Sequence, residues 1–229
     1  MKVSILMPVY NEIKTILDVI QLVQDVKMDK EIIIVDDCSN DGTRELLKQK
    51  FGDGSGEVRI YYHEKNMGKG GAIRTALSRA LGDYVVVQDA DMEYSPQEML
   101  KLADLAERTG APVVYGSRFL KTWKSTSLAH YAVNWSLTAL TNVLFGSSLT
   151  DMETCYKMVR TDIIRGLDIR ANRFEFEPEI TAKLLKSGHK IVEVPISYRG
   201  RGYDEGKKIT WKDGIEAVLA LFRLKFGKL

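Results

Sequence analysis

Cysteine, histidine and net charge are all scarce in this chain of 229 residues. Its two cysteines, Cys38 and Cys155, lie far apart and neither belongs to a CxxC pair, which excludes a cysteine-based zinc site and a disulfide framework. Such cysteine usage is typical of a reducing compartment, so we expect a cytoplasmic protein. The 33 basic and 31 acidic residues nearly cancel. Because a nucleic-acid-binding protein usually carries a strong basic excess, we expect no nucleic-acid partner.

A continuous apolar run of about 18 residues is also missing, so we predict no membrane-spanning helix. The nearest approach is the segment 125–150, which contains no Asp, Glu, Lys or Arg but is interrupted by polar side chains. Two interpretations stay open for this segment. It is either a helix that covers the core or a helix that lies in a membrane interface with Tyr131 and Trp135 as aromatic anchors. In the second case, Lys121 and Lys124 would suit anionic lipid head groups.

The composition is that of a globular protein, since 45% of the residues are hydrophobic and 28% are charged. At roughly 150 residues per domain, the length favours one large domain. No linker, internal repeat or low-complexity tract divides the chain. The short apolar run at the N-terminus stops at Pro8, which is typical of a first strand and not of a signal peptide.

Predicted strands and helices alternate along the first half of the chain. This alternation predicts right-handed βαβ units, and therefore an α/β fold with a mostly parallel sheet and helices on both faces. We predict strands at 3–9, 31–35, 58–62, 84–88, 112–115, 155–159 and 190–195. We predict helices at 12–26, 41–51, 70–81, 96–109, within 125–150, and at 178–187 and 211–226.

Polar residues follow four of the predicted strands, in the segments that lead to the next helix. Ligands of open α/β sheets bind at the carboxyl ends of the strands, so these residues form a candidate site. Any one cluster could be a helix cap, but four clusters at the same edge indicate a ligand site. They are Tyr10-Asn11-Glu12 after the first strand, Asp36-Asp37 after the second, Gly68-Lys69-Gly70 after the third and Asp89-Ala90-Asp91 after the fourth.

The segment Asp89-Ala90-Asp91 carries the clearest chemistry. In an extended segment, residues i and i+2 point to the same side. Two carboxylates on one side can hold Mg²⁺ or Mn²⁺, which prefer oxygen ligands and bridge to substrate phosphates. Glu93 is a candidate third ligand. The alternative is a solvated acidic turn before Pro96.

The glycine cluster around Lys69 matches neither of the common phosphate-binding motifs. Against a Walker A loop, His63 stands in place of the first glycine and Gly70 follows the lysine in place of Ser or Thr. Against a dinucleotide fingerprint, Ile73 occupies the third glycine position. A glycine-rich turn that opens a helix can still offer N–H groups and a cation to a diphosphate. The alternative is a flexible turn with one exposed lysine.

Taken in order, residues 3–12, 35–43, 66–70 and 89–91 resemble the family 2 glycosyltransferases. The resemblance is greatest to the polyprenyl-phosphate (dolichyl-phosphate) mannose and glucose synthases, and it covers most of the chain. It implies a GT-A fold with a Rossmann-like sheet, a cofactor of Mg²⁺ or Mn²⁺, and inverting transfer of a hexose. The implied donor is GDP-mannose or UDP-glucose, and the implied acceptor is a polyprenyl phosphate.

The resemblance also implies roles for individual residues. Within a single domain, residues 1–116 would form the nucleotide-sugar-binding half and residues 117–229 the acceptor-binding half. Arg118 and Arg199 would bind the acceptor, and Asp89, Asp91 and Glu93 would bind the metal. The donor would be bound by Pro8, Tyr10, Glu12, Asp36, Asp37, Lys69, Gly70, Asp89, Ala90, Asp91, Arg201 and Lys207.

The chain departs from these synthases where they usually have an Asp, small residues and then Gly-Phe-Arg. Here Asp151-Met-Glu153-Thr is followed by Cys155, Tyr156 and Lys157. The acceptor decides whether an acid of this segment is needed. A phosphate monoester has a second pKa of about 6, so it is mostly a dianion at neutral pH and needs positioning only. A hydroxyl acceptor needs a base, for which Asp151 and Glu153 are the candidates.

Further acids and further functions stay open. Glu175, Glu177 and Glu179 could place two carboxylates on one side or could cap a helix.

Alternative functions also stay open. A glycan hydroxyl is the alternative acceptor. A sugar-phosphate nucleotidyltransferase should have a glycine-rich, arginine-containing loop where this chain has Tyr10-Asn11-Glu12. A non-enzymatic, membrane-associated binding protein is the remaining alternative. For the enzyme, we expect contact with the inner face of the membrane.

Overall fold

The structure is a computed structural model that describes residues 1–120, 128–200 and 211–227. The strands are β1 Val3–Val9, β2 Lys30–Asp36, β3 Gly54–Ser55, β4 Val58–Tyr62, β5 Tyr84–Val87, β6 Val113–Ser117, β7 Lys157–Arg160 and β8 Val192–Pro195. The helices are α1 Ile16–Gln24, α2 Thr43–Phe51, α3 Gly68–Arg79, α4 Met99–Thr109, α5 Leu128–Phe145, α6 Thr161–Gly166, α7 Phe176–Lys186 and α8 Trp211–Phe226. A 3₁₀ turn, Pro96–Glu98, precedes α4.

The strands form one sheet in the order β3-β4-β2-β1-β5-β7-β6-β8. Strands β4, β2, β1 and β5 are mutually parallel, and β6 is parallel to β8. The predicted parallel α/β fold is therefore confirmed for most of the sheet. Strand β7 is antiparallel to both of its neighbours, β5 and β6.

The central strands are covered on both faces, as the β-branched run 31–35 predicts. Ile32, Ile33, Ile34 and Val35 are successive residues, so they point alternately to the two faces, and each is 0% exposed. Helix α3 packs against β1 and β2, and α4 packs against β6. Burial of this apolar surface from water is the main force that holds the sheet and helices together.

Two short elements are absent from the sequence prediction. Strand β3 lies in the segment 51–56, which the glycines suggested to be a loop, and it pairs antiparallel with β4. Helix α6 directly follows β7 and is only six residues long. Neither element is long enough to show a periodic pattern, which explains why the sequence does not reveal them.

A smaller core joins helices α5, α7 and α8 of the second half. Leu137 of α5, Ala182 of α7 and Leu221 of α8 are buried together, with Met152 from the loop before β7. Helix α5 therefore covers core residues on one side, as the first of the two interpretations predicts. Among the described residues, no helix is both long enough and apolar enough to cross a membrane.

Candidate active site

The fold brings the predicted clusters to one edge of the sheet. The parallel strands β1, β2, β4 and β5 all end at this edge, and the polar clusters follow them. Because β7 runs the other way, the segment before it returns to the same edge. The pairing of Val85 with Val159 fixes this register, and the thiol of Cys155 reaches the carbonyl oxygen of Val87 at 3.5 Å.

Asp89 and Asp91 lie in the loop that directly follows β5. The ammonium of Lys69 lies 2.8 Å from Oδ1 of Asp89 and 2.9 Å from its Oδ2. The backbone N–H of Glu93 donates to Oδ1 of Asp91 at 3.2 Å. The side chain of Asp89 is 21% exposed, and Asp91 is half-buried. Both carboxylates are thus held by the protein while ligands can still reach them.

Glu93, the predicted third metal ligand, contacts Tyr198 and Arg199. The hydroxyl of Tyr198 donates to Oε2 of Glu93 at 2.8 Å, and the N–H of Arg199 donates to the carbonyl oxygen of Glu93 at 2.9 Å. Over residues 1–120, 128–200 and 211–227, no three Asp, Glu, His or Cys side chains are grouped so that they could hold a metal ion. Asp89, Asp91 and Glu93 therefore do not form a three-carboxylate site by themselves.

The pair Asp89 and Asp91 nevertheless fits Mg²⁺ or Mn²⁺ in chemical type. Both side chains offer only carboxylate oxygens, which these hard cations prefer. The carboxylate of Asp89 already forms an ion pair with one cation, the ammonium of Lys69. Mg²⁺ commonly takes one or two carboxylates and completes its shell with water and substrate phosphates. Two aspartates are therefore a sufficient protein contribution.

Lys69 stands at the start of α3, next to the glycines that the sequence singles out. Burial lowers the pKa of Lys69, but Asp89 and Glu177 raise it more, so the ammonium stays charged. Gly70 is buried, and a Cβ on it would lie 2.4 Å from the carbonyl oxygen of Ala171. Gly70 is thus needed for close packing of α3 on this neighbouring loop. Its predicted contact with the donor stays a prediction.

Asp37 is buried and holds the start of α3 in place. Its Oδ2 accepts the N–H of Gly68 at 2.7 Å, and its Oδ1 accepts the N–H of Met67 at 2.8 Å. Nδ1 of His63 lies 2.7 Å from the same Oδ1. Carboxylates are favourable at a helix N-terminus because the N–H groups there lack helical partners. Asp37 therefore positions the glycine turn, whether or not it also contacts a nucleoside.

Asp36 has a separate partner. It is 0% exposed, and Nε of Arg44 donates to its Oδ2 at 2.6 Å. The ion pair connects the end of β2 with α2. Asp36 therefore supports the loop that it begins, and its predicted place beside the donor stays a prediction.

The loop after β1 carries the other predicted donor contacts. Pro8, Tyr10 and Glu12 are all half-buried at the edge of the sheet. The hydroxyl of Thr15 donates to the carbonyl oxygen of Ala90 at 2.6 Å, which ties this loop to the loop after β5. Thr15 was not singled out from the sequence, since a threonine near a helix start gives no signal of a contact 75 residues away.

Arg118 and Asp151 form a buried ion pair at the end of β6. Nε of Arg118 donates to Oδ2 of Asp151 at 2.7 Å, and Nη2 donates to Oδ1 at 2.8 Å. The side chains are 9% and 0% exposed. The guanidinium also lies over the ring of Tyr198, 5.1 Å from its centroid. Both oxygens of Asp151 are therefore engaged, which makes Asp151 poorly suited to accept a proton from a substrate.

Glu153, the other candidate base, has no such partner. Its Oε1 is buried without a hydrogen-bond partner in the described part of the chain. Burial raises the pKa of Glu153 to about 7, with Glu177 and Asp151 adding to the rise and Lys157 and Arg118 opposing it. A carboxylate with a pKa near 7 has the proton affinity that a general base needs at neutral pH.

Lys157 and Glu177 form a second buried ion pair, which the sequence does not predict. Their exposures are 2% and 6%, and Nζ of Lys157 donates to Oε2 of Glu177. Oε1 of Glu177 lies 3.5 Å from Nζ of Lys69.

The three acids at 175, 177 and 179 have different environments in the structure. Their alternation in the sequence was the one signal that pointed to a role for Glu177. Glu175 and Glu179 accept N–H groups of the loop 170–173, whereas Glu177 faces Lys69.

Of the predicted ligand-binding residues between 199 and 207, the structure describes only Arg199. Arg199 is exposed, and its backbone joins the loop of Glu93. Arg201 and Lys207, the other residues predicted to contact the donor, lie outside the described residues. Lys121 and Lys124 also lie outside them.

Comparison with known sequences supports the resemblance. The profile of glycosyl transferase family 2 matches residues 4–167. An undecaprenyl-phosphate mannosyltransferase of Micrococcus luteus is 29% identical over 216 residues, which cover 90% of this chain and 87% of the relative. A UDP-N-acetylglucosamine–dolichyl-phosphate N-acetylglucosaminyltransferase of Methanococcus voltae is 29% identical over 99% of this chain and 97% of the relative. A dolichol-phosphate mannosyltransferase of Pyrococcus furiosus is 28% identical over 98% of this chain but only 64% of its own length.

Comparison with solved structures confirms the predicted GT-A fold. Glucosyl-3-phosphoglycerate synthase from Mycobacterium tuberculosis, in complex with Mn²⁺, UDP and phosphoglyceric acid, superposes with a TM-score of 0.76 at 18% identity, covering 98% of this chain and 78% of that one. The same enzyme has been solved with Mg²⁺ and UDP. Staphylococcus aureus TarS with UDP-GlcNAc gives a TM-score of 0.63 at 18% identity, over 98% of this chain and 66% of that one. At such identities the likeness concerns the fold.

Proposed function

The chain belongs to glycosyl transferase family 2, and on this premise we propose that it transfers a hexose from GDP-mannose or UDP-glucose to a polyprenyl phosphate. Membership in the family makes the chain a glycosyltransferase, so the nucleotidyltransferase and the non-enzymatic binding protein are set aside. The relatives named above act on undecaprenyl or dolichyl phosphate, which supports this acceptor.

The observation that carries the proposal is the position of Asp89 and Asp91 at the end of β5, with Lys69 on Asp89. Asp89 and Asp91 would hold a divalent cation whose charge, when bound, offsets the negative charge that develops on the leaving nucleoside diphosphate. The ammonium of Lys69 adds positive charge on the same side. The edge of the sheet thus favours departure of an anionic leaving group.

Donor binding would involve the loops that follow β1, β2 and β4. Tyr10, Glu12 and Pro8 are half-buried there, and Asp37 fixes the turn that carries Lys69 and Gly70. Ala90 is held by Thr15. We assign the nucleoside to the space between these loops, and the proposal extends the donor contacts to Arg201 and Lys207.

The acceptor phosphate would bind at Arg118 and Arg199. Arg118 donates two of its five side-chain N–H groups to Asp151, so further donors remain for a phosphate. A phosphate dianion is already nucleophilic at neutral pH. It attacks the anomeric carbon from the face opposite to the leaving diphosphate, which inverts the configuration at that carbon. No residue has to remove a proton in this step.

A second candidate function has a specific observation in its favour. The unpartnered oxygen of Glu153 and its pKa of about 7 are the properties of a general base. A hydroxyl acceptor would need such a base. The alternative is therefore transfer from the same donors to a glycan hydroxyl, with Glu153 as the base and Asp151 as a structural partner of Arg118.

An apolar surface on α8 would bring the enzyme to its lipid substrate at the inner face of the membrane. Ile215, Leu219, Phe222 and Phe226 are spaced by four, three and four residues along α8 and are 42–75% exposed. We call these four residues the apolar stripe. Trp135 of α5, one of the two predicted anchors, is 59% exposed.

The flanks of the apolar stripe are consistent with an anionic lipid surface. Arg223 and Lys225 lie on the same helix and are exposed. An amphipathic helix with large apolar and basic side chains binds such an interface. Tyr131, the other predicted anchor, instead packs edge-on against Phe119.

The acceptor is the part of the proposal that one experiment can decide. Purified protein is given Mn²⁺, labelled GDP-mannose or UDP-glucose, and either a polyprenyl phosphate or a soluble glycan. The proposal predicts a labelled lipid with at least one donor, and it predicts that Glu153→Gln retains most of that activity. Label transferred only to the glycan, and lost in Glu153→Gln, would establish the alternative function.

A further inference from the structure

Lys69 stands between two carboxylates that it contacts unequally. Its ammonium donates a hydrogen bond to Oδ2 of Asp89 at 2.9 Å and lies 2.8 Å from Oδ1 of the same carboxylate, whereas it lies 3.5 Å from Oε1 of Glu177. Three elements bring these groups together: Lys69 begins α3, Asp89 follows β5, and Glu177 lies in the first turn of α7. A small rotation of the lysine side chain would exchange one carboxylate for the other.

The two carboxylate oxygens of Glu177 have different environments, and both favour that exchange. Oε2 is held by Lys157, which fixes the orientation of the carboxylate. Oε1 is buried and has no hydrogen-bond partner among the described residues. A buried acceptor without a partner is energetically unfavourable, so Oε1 is a ready second position for the ammonium of Lys69.

Binding of a divalent cation at Asp89 would bring a second cationic group, beside the ammonium of Lys69, onto one carboxylate. The repulsion between the cation and Lys69 would be strong because both lie in a partly buried site. We propose that Lys69 moves from Asp89 to Oε1 of Glu177 when a divalent cation binds, and that Glu177 is the positioning residue that makes this exchange possible. The inference rests on the metal site of the proposed function.

The exchange predicts opposite effects of two substitutions on cation affinity. Lys69→Met removes the competing ammonium from Asp89, so Mn²⁺ should bind more tightly, by about tenfold. Glu177→Gln removes the charge that attracts Lys69 away, so Mn²⁺ should bind more weakly, by about tenfold. If Glu177 acts only through Lys69, then Glu177→Gln should have no effect in a Lys69→Met background.

The experiment is a Mn²⁺ titration of four proteins, wild type, both single variants and the double variant, without nucleotide. The free ion is measured by its electron paramagnetic resonance signal, and thermal unfolding reports whether each variant is folded. Equal affinities of Lys69→Met and the double variant, with both single effects of the stated sign, are the expected result. An undiminished effect of Glu177→Gln in the Lys69→Met background would overturn the exchange, because it would show a general loss of negative charge.

One comparison stands even if Glu177→Gln does not fold because Lys157 loses its partner. Lys69→Met leaves the pair of Lys157 and Glu177 intact, and an unchanged or weaker Mn²⁺ affinity in this variant also overturns the inference. The outcome is distinguishable from failure of the proposed function. Transfer to a polyprenyl phosphate can occur while all four proteins bind Mn²⁺ equally, and the exchange can occur in a protein that uses another acceptor.

Discussion

Arg118 and Asp151 are 33 residues apart in sequence and meet in a two-bonded ion pair that is almost completely buried. The pair joins the end of β6 to the segment that leads into β7. It removes Asp151 from the set of available bases and holds the guanidinium of Arg118 at the edge of the sheet. One contact thus separates the roles of the two acids, Asp151 and Glu153, that the sequence could not tell apart.

Asp151→Asn should strongly destabilise the protein. The substitution leaves a buried guanidinium without a counter-charge, and breaking a buried pair in this way costs about 3–5 kcal/mol of unfolding free energy. Urea denaturation of both proteins measures the difference.

The chain offers a matched control for this substitution. Arg160 and Asp162 make an equally close two-bonded pair, but their side chains are 50% and 64% exposed. Asp162→Asn should leave the unfolding free energy nearly unchanged, since exposed pairs contribute little. Equal effects of the two substitutions would show that the Arg118–Asp151 pair is not buried in solution.

The stability of the protein should depend on the protonation of Glu153. Its pKa is about 7 in the folded protein and 4.5 as the ordinary value, so the folded state binds the extra proton between these pH values. The contribution of Glu153 to the stability should therefore be complete below pH 4.5 and decrease as the pH rises towards 7. The total loss is about 3 kcal/mol by the linkage relation.

Glu153→Gln isolates this effect because the amide does not ionise. At pH 8 the variant should be more stable than the wild type by most of that amount, and at pH 4 the two should be alike. Glu45→Gln, on an exposed side chain of α2, is the control and should change neither. Parallel stability curves for wild type and Glu153→Gln between pH 4 and pH 8 would contradict the raised pKa.

The apolar stripe should bind vesicles that contain anionic lipid. Leu219→Glu combined with Phe222→Glu should reduce binding at least tenfold, because burial of each such side chain contributes about 1.5–3 kcal/mol. Co-sedimentation with vesicles measures the bound fraction. Leu81→Glu is the control, since Leu81 is 72% exposed and precedes β5, at the opposite end of the sheet. Equal losses in both proteins would mean that added negative charge, and not the stripe, is responsible.

The product should carry the sugar in the anomeric configuration opposite to that of the donor. The proposed reaction is a single attack by the acceptor phosphate, so only one inversion takes place. The proton–proton and proton–carbon coupling constants at the anomeric carbon of the purified lipid product report the configuration. A product with the configuration of the donor would indicate two displacements and would contradict the proposed step.

The central strands and the polar clusters that follow them could be predicted, because each of these features depends on a local sequence pattern. The β-branched run 31–35 identifies a strand that is covered on both faces, and a polar cluster directly after a strand needs no knowledge of distant residues. The convergence of Tyr10, Asp37, Lys69 and Asp89 at one edge follows from parallel strands alone. The observed sheet confirms this reasoning.

The contacts of the second half could not be predicted because they depend on the direction of β7. An alternating pattern of strands and helices favours a parallel strand, whereas β7 is antiparallel and starts at the edge where β6 ends. This reversal brings Lys157 to Glu177 and Asp151 to Arg118. Sequence alone showed Cys155, Tyr156 and Lys157 as a departure from the related synthases, without showing that Lys157 is the buried partner of an acid.

The central claim is that the protein transfers a sugar to a polyprenyl phosphate at the site that contains Asp89. Its most direct test is the rate at which labelled sugar enters a polyprenyl phosphate, measured for wild type, Asp89→Asn and the surface control Asp162→Asn under identical Mn²⁺ and donor concentrations. The account predicts a labelled lipid with the wild type and the control, and a loss of about 10²–10³ in rate with Asp89→Asn. An unchanged rate in folded Asp89→Asn, or no labelled lipid from the wild type with either donor, would contradict it.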